Sequence, residues 1–156
     1  MRITVIATNE KDLLNEHVCP QLKRTLTYLS RAYKFALPAH LYLLQYRKPS
    51  RIYCIKCELG CPQGMKKVAC CYGRAGSGKK YDLFISMNVT ACLRDGALKA
   101  VIAHEAAHIA EKLLTGRFSH SRYHERILVT AERELFRARC DLPHFDVSNK
   151  NLHPRR

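Results

Sequence analysis

The sequence predicts an α+β domain: a small, mostly antiparallel sheet combined with an N-terminal helix, a helix carrying His104-Glu105-Ala106-Ala107-His108, and a C-terminal helix. Three observations predict it. Leu13, Leu14, Val18, Leu22, Leu26 and Leu29 recur at three- and four-residue spacing, the period of one helix face. Between residues 40 and 89, short runs rich in β-branched, aromatic and aliphatic residues alternate with Gly, Pro and Ser. From Ala97 to Leu114 the chain is apolar, rich in strong helix formers and free of proline.

In chain order, Arg2–Thr8 alternates as a strand and ends in Thr8-Asn9, a helix-start signal. The helix that follows extends to about residue 35, and Pro20 either kinks it or opens its second segment. His40–Tyr46, Arg51–Cys57, Val68–Tyr72 and Tyr81–Val89 read as short strands, the last being the candidate sheet edge. The 104–108 helix has Asp95 or Thr90 as candidate caps at its start and Gly116 as a C-cap. A last helix runs from about Ser119 to Cys140, and the pattern fades after Asp141-Leu142-Pro143. Residues 1–145 therefore form one domain, and 146–156 a basic, polar tail.

Composition narrows the class. The chain has 156 residues and 47% hydrophobic content, enough for a core without staples. It has no apolar run of about 18 residues, and its first residues carry no signal-peptide pattern. The expectation is a soluble, intracellular protein of cytoplasm or nucleus, without a membrane partner. In that setting the eight cysteines are thiols or metal ligands rather than a disulfide framework. A net charge of +14, from 27 Lys and Arg against 13 Asp and Glu, favours polyanions and makes nucleic acid a candidate partner.

The segment with the most chemistry is His104-Glu105-Ala106-Ala107-His108. Residues i and i+4 share a helix face, so both imidazoles can reach one metal while Glu105 lies beside the open coordination position. That is the arrangement of a zinc hydrolase with Glu105 as general base. Catalytic zinc usually takes a third protein ligand, which must come from beyond residue 108. His120 and His124 follow the Gly116 turn, and Glu132 or Glu134 lies deeper in the next helix. His120 is preferred by position, with His124 and Glu134 as the alternatives.

The order of elements resembles a minimal zincin, and residues 100–124, with the Gly116-Arg117 pair, resemble the SprT/Spartan family of zinc metalloproteases. In that family the helix motif is followed by a Gly-containing turn and a third histidine at the start of the next helix. The resemblance implies a catalytic zinc, a protein or peptide substrate, and action on DNA-associated proteins. Position 114 is Leu where a metzincin has a histidine, and His120 is followed by Ser121, with His124 where the family has an aromatic residue.

Two further patterns stand apart. Cys54, Cys57, Cys70 and Cys71, with Cys61 between the pairs, have the character of a second, structural zinc site. Gly73 to Lys79 fits the spacing of a phosphate loop, but Lys80 replaces the Ser or Thr that would hold magnesium, so a hairpin tip is expected. Beside the DNA-linked protease stand two other readings: a stand-alone processing peptidase of gluzincin type, and a nonenzymatic zinc-containing nucleic-acid-binding module. An intact Glu105 argues against the last, since a structural site has no use for a general base.

Overall fold

The structure, a computed structural model, describes residues 1–45 and 72–136. The proposed cysteine site, the strand at 51–57 and most of the strand at 68–72, and the tail from 146 lie outside the described residues. Within them the fold is α+β: a four-stranded mixed sheet and four helical elements. Strand β1 (Arg2–Ile6) leads into helix α1, which spans residues 11–33 as Lys11–Leu13, a π-helical turn Leu14–Val18, and Cys19–Tyr33. Strands β2 (His40–Gln45), β3 (Gly73–Gly76) and β4 (Phe84–Met87) follow. Helices α2 (Val89–Arg94), α3 (Leu98–Thr115) and α4 (Arg122–Phe136) complete the described chain.

Pro20 opens the second α-helical segment, Cys19–Tyr33, standing in its first turn. Its ring excludes an ordinary hydrogen bond to the preceding turn, and the wider π-helical turn just ahead of it keeps the helix continuous. The helix buries Leu14, Val18, Leu22, Leu26 and Leu29, the stripe that the apolar spacing marks.

The sheet order is β1-β2-β4-β3. Both β1–β2 and β2–β4 are parallel, and β3–β4 alone is antiparallel, so among the described residues the sheet is not mostly antiparallel. For β1–β2 the cause lies in the connection: α1 carries the chain back along the sheet before β2 begins, and a strand-helix-strand crossover pairs its strands in parallel. Ile3, Val5, Leu41, Leu43 and Ile85 fall in register on the face that meets the helices. On the other face Thr4 Oγ1 lies 2.6 Å from His40 Nε2, and His40 stacks on Tyr42 at 4.4 Å between ring centroids.

The expected edge position of β4 is also corrected. It is flanked by β2 and β3, and among the described residues the glycine-rich segment Gly73–Gly76 forms one outer strand. Without large side chains that segment has no alternation to signal a strand. A Cβ on Gly76 would fall 2.6 Å from the Phe84 ring, so the ring packs where a side chain would stand. The Gly78 amide donates to the Tyr81 carbonyl at 2.9 Å and closes the β3–β4 hairpin. The phosphate-loop spacing is thus part of a hairpin.

Helix α3 is the central element. Ala100, Ala103, Ala106, Ala107 and Ala110 are all buried, and such small residues let α1, α4 and the sheet approach its backbone closely. Its end is capped as expected, with Gly116 at φ 80 and its amide bonded to the Lys112 carbonyl at 2.8 Å. Its start is not. Asn88 caps the short α2 by accepting from the Ala91 amide, Thr90 lies inside α2, Asp95 is at its C-terminus, and α3 opens at Ala97 without a side-chain cap. No helix among the described residues is long and apolar enough to cross a membrane.

Candidate metal centre

Helix α3 presents His104 and His108 one turn apart on the side facing α4 and the 116–121 turn. Both are buried, at 3% and 6% exposure, and Glu105 beside them is at 2%. An apolar helix sinks three ionisable side chains into the core only where something there compensates their desolvation.

The turn after α3 delivers His120. Its Nε2 lies 3.2 Å from His104 Nε2 and 3.2 Å from His108 Nε2, while those two are 3.0 Å apart. The three atoms form a nearly equilateral triangle. Hydrogen bonds cannot satisfy all its sides. Each Nε2 either carries a hydrogen or offers one lone pair, and assigning donors and acceptors around a three-membered ring always leaves two donors or two acceptors facing each other. Three lone pairs directed at one cation have no such conflict. In a tetrahedral zinc site with Zn–N bonds of about 2.0–2.1 Å, ligand nitrogens are separated by about 3.3 Å. The triangle is close to that size.

His124 belongs to the same cluster. The ligand atoms of His104, His108 and His124 lie within 4.8 Å of one another, close enough to bind a metal ion. The His124 ring stacks on that of His108 at 3.9 Å and 25°, and its Nε2 is 3.4 Å from the His104 carbonyl oxygen. Of the two candidate sets, the one with His120 is the tighter and has all three Nε2 atoms facing each other. In the other, the Nε2 of His124 is turned to the backbone of α3. Glu134, at 6% exposure, lies 3.8 Å from Arg24 of α1. It is not part of the histidine cluster.

Comparison with family models, with curated proteins and with solved structures finds no match.

Two features of the surroundings were not legible in the sequence. Glu111, at 2% exposure, accepts hydrogen bonds from the Ser119 amide at 2.7 Å, the Ser119 hydroxyl at 2.5 Å and the Ser121 hydroxyl at 2.9 Å. Ser121 also caps α4, its Oγ accepting from the His124 amide at 3.3 Å. This accounts for a serine directly after His120. Only the Ser-x-x spacing ahead of α4 could have signalled the cap, and nothing local signals Glu111.

Cys92 of the short helix α2 is buried at 0% exposure. The Cys92 thiol there is pushed up to about 12, by burial first and then by the negative charges of Glu105, Asp95 and Glu10. The buried Cys92 thiol is therefore protonated at neutral pH. Asp95, bonded by Arg94 and by the Tyr72 hydroxyl, is held down to about 2. It ties the end of α2 to the segment entering β3.

Proposed function

We propose that the chain is a zinc-dependent metallopeptidase in which His104, His108 and His120 hold the metal and Glu105 is the general base. The observation that carries this reading is the Nε2 triangle, with sides of 3.0, 3.2 and 3.2 Å, which three imidazoles adopt to share a cation and which hydrogen bonding alone cannot satisfy. Three neutral imidazoles leaving a fourth position for water form a ligand set of the catalytic zinc type. Zinc held there would polarise a peptide carbonyl and bring the pKa of a bound water to about 7. Glu105 would take the proton of the attacking water and deliver it to the departing amine. Its burial, at 2% exposure, gives it a poorly hydrated setting in which such a transfer is not dissipated into solvent.

The substrate class is protein or peptide. The resemblance of residues 100–124 to the SprT/Spartan family and the net charge of +14 support substrates associated with DNA. The test is hydrolysis of an unstructured protein such as casein. The activity is expected to vanish when a chelator strips the metal and to return with one equivalent of zinc. Hydrolysis that persists in the metal-free protein contradicts the reading.

A further inference from the structure

We propose that Glu111 is a positioning residue for His120, holding the 116–121 turn so that the His120 imidazole meets those of His104 and His108; this rests on the zinc reading above. Two of the three imidazoles are set by the backbone of α3. His120 is not, since it sits in the turn between α3 and α4. Its position depends on what fixes that turn.

Glu111 is three residues beyond His108, and its carboxylate is nearly fully buried at 2% exposure. A buried carboxylate is costly unless it is richly hydrogen-bonded. Here its bonds go to donors on both sides of His120: the Ser119 amide and hydroxyl on one oxygen each, and the Ser121 hydroxyl. Hydrogen bonds to an ionised acceptor are stronger than neutral ones, so this clasp is the kind of contact that can set a turn. Ser121 extends it, because the same hydroxyl caps α4. Lys112 adds a second tie, its Nζ donating to the Gly116 carbonyl at 2.8 Å. The turn is thereby fastened to α3 at its start and around His120. Groups that orient metal ligands in this way are typically worth about 10–100-fold in metal affinity.

The test is zinc affinity, measured by competition with a chromogenic chelator on the full chain, with melting temperature recorded in parallel. Glu111→Ala is expected to weaken zinc binding about 10–100-fold. Glu111→Gln, which keeps one acceptor oxygen, should recover part of that loss. Should Glu111→Ala fail to fold, the double variant Ser119→Ala/Ser121→Ala removes donors from the turn and is expected to weaken binding in the same range. A lowered melting temperature with unchanged zinc affinity in the folded variants means that Glu111 only stabilises the fold, and overturns the proposal. His104→Ala is the reference. If it loses zinc while the Glu111 and serine variants do not, the positioning role alone fails. If the wild type itself binds no zinc, the zinc reading fails, and this proposal with it.

Discussion

Glu105→Gln is expected to abolish peptide hydrolysis while leaving zinc binding intact. The substitution keeps the size of a side chain packed at 2% exposure inside α3, so neither the helix nor the neighbouring histidines are disturbed. What it removes is the carboxylate next to His104 in the helix. General acid–base groups contribute about 10²–10⁴-fold, and a loss of that size with an unchanged metal content separates the base from a structural role. Rates on an unstructured protein substrate, with zinc counted on the same samples, check it. Retained hydrolysis would sink the assignment of Glu105. A parallel loss of zinc would show that the glutamate supports the metal site instead.

His120→Ala and His124→Ala should differ sharply. If His120 is the third ligand, its removal leaves two imidazoles and should weaken zinc binding by more than the roughly 100-fold that losing an outer contact costs. His124 stacks on His108 and directs its Nε2 to the His104 carbonyl, so its removal should fall within about 10–100-fold. Chelator competition on both variants reads the difference directly. The reverse order would make His124 the ligand, as its place within 4.8 Å of the other two also allows. Glu134→Ala is expected to leave zinc affinity unchanged, because that carboxylate lies against Arg24.

The contrast between these histidines shows where sequence reading ends. The pair His104 and His108 was legible because four-residue spacing fixes a shared helix face whatever the tertiary structure. The C-cap at Gly116 was legible for a similar reason, since its left-handed conformation is a local preference of glycine. The helix stripe from Leu14 to Leu29 was legible through a proline, although not the π-helical turn that carries the chain past it. His120 and His124 could not be told apart, because their orientations depend on the course of a six-residue turn, which Glu111 bonds at Ser119 and Ser121. That carboxylate is eight and ten residues from its partners, and no periodicity links them. The parallel pairing among the described strands was not legible for a different reason. Hydrophobic alternation is the same in parallel and antiparallel strands, and for β1–β2 the information lies in the helix between them. Strand β3 escaped because two of its four residues are glycine.

In the proposed site three imidazoles, and not the cysteines, hold the first zinc. Zinc-edge X-ray absorption of the full chain loaded with one equivalent of metal tests it most directly. The expected first shell is nitrogen and oxygen at about 2.0–2.1 Å with the outer scattering of imidazole rings, lost in His104→Ala. A first shell of sulfur at about 2.3 Å, unchanged by His104→Ala, would contradict it.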